Sequence, residues 1–227
     1  MNTTAKLRPL AALAPAALAV LLAFGGACSR PGGSAGETTR GREATARDAG
    51  GATRARAAEP SLFELAFPLT DAEGRTRRMA ELRGEPFVAS MIYTSCRSVC
   101  PRITADLKSL EQALPGEVRA RTRFVLFSLD PERDTPAALR RFAAEHALDP
   151  ARWTLLAAGP DDMRTLAAVL GVRFRPDGGG EIAHSAVIVV VDSAGVIRHR
   201  QAGMRNDTRP LVAALESAWG APGGPVR

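Results

Sequence analysis

A chain of 227 residues with 45% hydrophobic, 5% aromatic and 24% charged residues has ordinary globular composition and room for one domain, or at most two. Collagen, coiled coil, a polytopic membrane protein and full disorder are excluded. The net charge of +6 is unevenly spread: residues 1–60 hold 8 Lys/Arg against 4 Asp/Glu, and residues 61–227 hold 22 against 20. The folded part is therefore almost neutral, without a basic stripe interleaved with aromatics, and nucleic acid is not an expected partner.

The N-terminus reads as an address. Lys6 and Arg8 precede an apolar run at 10–24, and the 20 residues from Pro9 to Cys28 carry no charge. This is the pattern of an export signal or membrane anchor. Small residues before Cys28 suggest a lipobox, with Cys28 as the lipidated residue. Cleavage nearby by a soluble-type signal peptidase and an uncleaved anchor are the other two readings. All three place the domain outside the cytoplasm, on the periplasmic side of a bacterial inner membrane or in the cell envelope. Residues 29–60 are rich in Gly, Ala, Thr and Arg and poor in large apolar residues. Such a segment cannot bury enough surface to offset its ordering entropy. It reads as a flexible linker, with a reach of about 30 Å for about 30 residues.

Residues 61–220 suffice for one core, followed by a short tail at 221–227. The segment 87–94 is apolar and reads as a buried strand. Ile103, Leu107, Leu110 and Leu114 recur at helical spacing, which predicts a helix from Val99 to Leu114, stopped by Pro115-Gly116. A second buried strand follows at 122–130. Thr135 as N-cap and Pro136 at the first helical position open a helix whose one side carries Leu139, Phe142, Ala143 and His146. A strand at 153–157 leads to a helix that starts at Asp161 or Asp162 and ends at Gly171. Residues 175–182 read as a loop. The run 184–192 is a central strand, turned at Ser193-Ala194-Gly195 into an antiparallel partner. Asp207 or Thr208 caps a last helix that runs through Trp219. The pattern predicts an α/β domain with a central mixed, mostly parallel sheet and helices on both faces. A thioredoxin-like fold satisfies it.

The segment that could carry chemistry is YTSCRSVCP, with Cys96 and Cys100 at the transition from strand to helix. A helix start presents free N–H groups and a positive dipole end, which favour thiolate. Two close thiolates can form a disulfide or grip a soft metal ion. Arg97 between them either lowers their pKa or is simply solvated. Of the three histidines, His146 near a helix end suits a structural role, and His199 among basic residues suits the surface. His184 begins an apolar strand whose preceding loop, in this fold, lies beside the cysteine turn. It could complete a Cys2His site for copper, which tolerates low coordination by soft ligands. Zinc would want a fourth ligand. Asp130-Pro131 suits a turn, and Asp134 suits a helix start or a contact near the site. Met204 suits packing better than ligation.

The chain resembles the Sco/SenC family of exported, thioredoxin-like copper-binding proteins. The resemblance rests on FPLTDAEG, ELRGEPFVASMIYTSC, YTSCRSVCP, LDPERDTP at 129–136 and HSAVIVVVDSAG, in that order along 61–220. Arg97 stands where the family often has Pro, and Ala183 where it often has Asp. The resemblance implies Cys96, Cys100 and His184 as copper ligands. It also implies a function in delivering copper to the binuclear copper site of cytochrome c oxidase subunit II or a similar cuproprotein. The alternative is a client-specific thiol–disulfide oxidoreductase in which Cys96 and Cys100 are the catalytic redox pair. A thiol peroxidase ranks last, because YTSCRSVCP is unlike a peroxidatic T-x-x-C setting. Nothing points to an obligate dimer, and a monomer is expected.

Overall fold

The computed structural model describes residues 60–204 and 207–220. The expected signal or anchor, Cys28, the 29–60 linker up to residue 59 and the 221–227 tail lie outside the described residues.

The domain opens with a hairpin of β1 (Pro68–Asp71) and β2 (Thr76–Arg78). Asp71 organises its turn by accepting from the backbone N–H groups of Glu73 and Arg75, at 3.0 and 2.8 Å. Strand β3 (Phe87–Ile92) is buried at every position, as its continuous apolar run requires. Helix α1 (Val99–Ala113) starts where the spacing predicts, and Leu114 is its C-cap. Pro115 ends α1 and then serves as N-cap of a short helix, α2 (Gly116–Arg121), which the sequence reading did not anticipate. Strand β4 (Arg123–Ser128) follows. Helix α3 (Pro136–Glu145) begins as expected: Thr135 Oγ1 accepts from the Ala138 N–H at 3.3 Å, and Pro136 occupies the first turn.

Strand β5 (Trp153–Ala158) precedes α4 (Pro160–Leu170). This helix starts ahead of Asp161 and Asp162, because Pro160 is preset for its first turn and Gly159 is the cap. Its C-cap, Gly171, lies at φ +76°, a conformation that glycine adopts without steric cost. The chain then forms β6 (Phe174–Pro176), β7 (Ile182–His184), β8 (Val187–Val191), β9 (Ile197–Ala202) and α5 (Arg209–Gly220).

Seven strands form one sheet in the order β2-β1-β5-β4-β3-β8-β9. Only β3/β4 and β4/β5 are parallel; the other four pairings are antiparallel. The sheet is mixed, as expected, but it is not mostly parallel. Both of its edges are made by hairpins, whose tight turns reverse the chain, and only the centre is joined through helices. Strands β3 and β8 are buried along their whole length, and β4 at all but its first residue. Because successive residues point to opposite faces, such strands are covered on both. Helix α1 packs on β3, α5 on β8 and β9, α3 on β1 and β5, and α4 on β5.

The expected loop at 175–182 is instead a hairpin. Phe174 pairs with His184, Arg175 with Ala183 and Pro176 with Ile182, in a separate two-stranded sheet. Its tip is closed by Asp177, whose Oδ1 accepts from the N–H groups of Gly179 (2.8 Å) and Glu181 (3.1 Å). Gly178 and Gly180 supply positive φ angles there, +83° and +90°. His184 therefore ends β7, and the apolar central strand begins three residues later, at Val187.

Candidate metal centre

Strand β3 runs out at Ile92, and the following turn brings Cys96 to the start of α1. Ser98 is the N-cap residue of that helix but makes no side-chain cap. The vacant capping role falls to sulfur: Cys96 Sγ accepts from the Cys100 N–H at 3.3 Å. Cys100 lies in the first turn, and its own Sγ accepts from the Tyr93 N–H at 3.4 Å. Both sulfurs are buried, with 5% exposure for Cys96 and 0% for Cys100, and both are free thiols.

Hydrogen bonding makes the two cysteines unequal. The Cys100 thiol, the backbone N–H groups of Cys100 and Ser98 and the Tyr93 hydroxyl outweigh burial and hold the Cys96 thiol down to about 4. Cys100 is driven strongly upward by the neighbouring Cys96 sulfur, then by burial, with a smaller push from the charge of Asp134. In the metal-free protein the pair is thus a thiolate on Cys96 accepting from a thiol on Cys100.

The β6–β7 hairpin brings in the third donor. His184 Nε2 stands 3.4 Å from Cys100 Sγ. Its Nδ1 lies 3.2 Å from the Ser185 carbonyl oxygen. A carbonyl can only accept, so Nδ1 carries the ring proton and Nε2 turns a lone pair toward the sulfurs. The two Sγ atoms and one imidazole nitrogen lie within 4.8 Å of one another. Donors about 2.3 Å from a shared ion can stand up to about 4.6 Å apart, so one ion meets all three with small adjustment. The set is soft and three-coordinate, and no fourth His, Cys, Asp or Glu joins it among the described residues. This suits copper(I) and leaves tetrahedral zinc one ligand short.

A cleft of about 410 Å³ opens onto the centre, lined in part by Cys96, Ser98, His184 and the acidic pair Asp177 and Glu181. A larger cleft, about 560 Å³, lies between the β1–β2 hairpin and α3 and contains neither Cys nor His. Its Arg75 and Arg77 are already paired with Asp71, and the chemistry belongs to the smaller cleft.

The other residues singled out in the sequence fall as follows. Asp130 turns the chain, with its carboxylate on Arg133. Asp134 does more than begin a helix. It is buried and accepts from the Thr94 N–H (3.0 Å), the Thr94 hydroxyl (2.6 Å) and the Ser128 hydroxyl (2.6 Å), so it holds the turn leading to Cys96. Arg97 is exposed. His146 is half-buried against Phe142, in line with the structural role expected of it, whereas His199, expected at the surface, is half-buried on the edge strand β9. Met204 packs half-buried against the core.

Two residues beside the centre carried no signal in the sequence. Tyr93 is buried and its hydroxyl donates to Glu181 Oε2 at 2.7 Å. Burial, and then that carboxylate, push its phenol well above the usual range, so it remains a donor. Neither residue type nor spacing forecasts the pair, because 88 residues separate them.

The fold and site define a thioredoxin-like domain with a buried dithiol and an imidazole at one end of its sheet. The SCO1/SenC family model matches residues 55–220, and the chain belongs to that family. It is 27% identical over 152 residues to the SCO1 protein homolog of Bacillus subtilis, covering 65% of this chain and 78% of that one. Among solved structures, ScoI of Bradyrhizobium japonicum with copper bound is similar with a TM-score of 0.56 and 25% identity, covering 67% of this chain and 96% of that one. BsSco, a member of the Sco family of cytochrome c oxidase assembly proteins with a disulfide switch, is similar with a TM-score of 0.57 and 25% identity. There the match covers 67% of this chain and 90% of that one.

Proposed function

We propose that this chain is an exported, membrane-tethered copper carrier that delivers copper to the binuclear copper site of cytochrome c oxidase subunit II or a similar cuproprotein. The observation that carries the reading is the convergence of Cys96 Sγ, Cys100 Sγ and His184 Nε2 within one ion's reach. Family membership and the copper bound by the Bradyrhizobium japonicum relative support it. The charge-free run from Pro9 to Cys28 supports export and anchoring.

Copper is cargo here. The Cys96 thiolate is the first ligand available to it. Cys100 loses its proton on binding, and the His184 lone pair completes the set. Transfer proceeds by exchange of these ligands for a client's thiols, one at a time, through the cleft. Anaerobic titration of the reduced, metal-free protein should give one tight copper per chain with either copper(I) or copper(II). Copper(II) should show thiolate charge-transfer absorption that is lost on replacing Cys96, Cys100 or His184. His184→Ala should weaken copper(II) more than copper(I), and equal copper(II) affinity in that variant would remove His184 from the ligand set.

The unequal cysteines favour a second reading. A thiolate on Cys96 beside a protonated Cys100 is also the arrangement of an attacking and a resolving thiol. Cys96 would attack a client disulfide, and Cys100 would displace the reduced client, its proton passing to the departing thiolate. Rapid disulfide exchange without tight copper binding would make this client-specific reductase the primary function.

A further inference from the structure

The β6–β7 hairpin that carries His184 is not part of the main sheet. Several of its hydrogen bonds are internal, such as Ser185 N–H to Arg173 O and Arg173 N–H to Ser185 Oγ. A two-stranded ribbon of this size is marginal by itself. Its orientation therefore depends on what ties it to the cysteine-bearing strand.

We infer that Tyr93 is that tie, a positioning residue that sets His184 against the two sulfurs. This rests on the reading of the centre as a copper site. Tyr93 follows directly on β3 and is 1% exposed. Its hydroxyl bonds the hairpin twice, donating to Glu181 Oε2 at 2.7 Å and accepting from the Ile182 N–H at 3.1 Å. Ile182 and His184 are two apart in β7 and so share a face. Fixing the Ile182 backbone fixes where that face looks. The Tyr93 ring also meets the imidazole edge-on, with centroids 5.8 Å apart and planes at 71°. A phenylalanine would fill the same volume but could make neither hydrogen bond. The phenol is thus required for something other than packing: besides its contact with Cys96, it makes two bonds to the segment that carries the ligand.

The test uses the full chain, reduced, with Tyr93→Phe, Glu181→Ala and Glu181→Gln. In the metal-free protein, amide exchange at Ile182 and its neighbours in β7 should quicken about tenfold or more in Tyr93→Phe and Glu181→Ala. Glu181→Gln, which keeps an acceptor oxygen, should stay near wild type. With copper(II), the first two variants should bind about tenfold more weakly and show an altered charge-transfer band, the scale on which residues supporting a metal ligand act. Copper(I), which can rely on the two thiolates, should be affected less. Unchanged exchange at Ile182 in Tyr93→Phe overturns the tie. Faster exchange with an unaltered copper(II) spectrum and affinity overturns its link to His184. A wild type that binds no copper overturns the function proposed above, while the exchange comparison still decides whether Tyr93 holds the hairpin.

Discussion

Cys96 and Cys100 are the same residue type four positions apart, yet the fold gives them opposite acidities. Cys96 receives hydrogen bonds at the start of α1, and Cys100 gives one up while lying deeper. The metal-free, reduced protein should therefore carry about one thiolate per chain at about pH 6, where free cysteines are almost wholly protonated. Its ultraviolet thiolate absorbance should rise with a midpoint at about 4 and then stay flat through neutrality. Cys96→Ser should abolish that step. Two thiols titrating together near the ordinary value of 9.0 would contradict the arrangement. At this scale the sequence was informative about identity. A cysteine pair at a strand-to-helix transition and one histidine before an apolar run were enough to nominate the donors. It was silent on Tyr93 and Glu181, because their bond exists only once two distant segments are side by side.

The segment LDPERDTP shows what an element decides. Residue types alone account for a turn at Asp130 and a helix start at Thr135, and both are present. With Thr135 supplying the cap, Asp134 is free to turn inward, where it accepts from the N–H and hydroxyl of Thr94 and from the hydroxyl of Ser128 at the end of β4. Burial raises its carboxyl pKa, and the hydrogen bonds from Ser128 and Thr94 offset this only in part. The sign follows from linkage: the folded state holds the Asp134 proton more tightly than the unfolded chain does. The stability this group contributes is complete below the unfolded value of 3.8 and is lost as pH rises through the higher folded value. Asp134→Asn keeps an acceptor for Thr94 and cannot ionise. Urea melts from about pH 4 to about pH 7 should show wild type losing stability relative to Asp134→Asn. Parallel curves would mean that Asp134 is not held against its charge. The misread elements share one cause. β6 and β7 are three residues each, and neither they nor α2 contain a buried residue, so hydrophobic periodicity had nothing to report.

Across the whole molecule, the chain enters the domain and the metal centre sits at opposite ends of the sheet. The Leu62 N–H donates to the Gly195 carbonyl and Ser61 Oγ to the Ala194 carbonyl, in the turn after β8. Since β8 runs antiparallel to β3, with Val191 opposite Phe87, that turn lies at the end of β3 away from Cys96. The length of β3 separates the two, roughly 17 Å for its six residues. Gly195 is the contact on which this entry point depends. It sits at φ +85°, and a Cβ there would lie 2.3 Å from Ser61 Oγ and 2.5 Å from a Phe63 ring carbon. Gly195→Ala should cost about 2 kcal/mol, read as a lowered urea midpoint, with the copper(II) spectrum unchanged. A changed spectrum would show that the two ends are coupled.

The sequence by itself determined the class of the domain, the strands of its core, the Thr135 cap of α3, the Gly171 end of α4 and the three candidate donors. Each of these rests on residue type and local spacing, which a chain carries with it before folding. Only the tertiary structure decided that the sheet is parallel at its centre alone, that His184 belongs to a separate hairpin, and that Cys96 and Cys100 divide one proton between them. It also decided that Asp134 and Tyr93 hold the surroundings of the site. Those facts depend on which segments meet, and hydrogen bonds spanning 40 to 89 residues leave no local pattern to read.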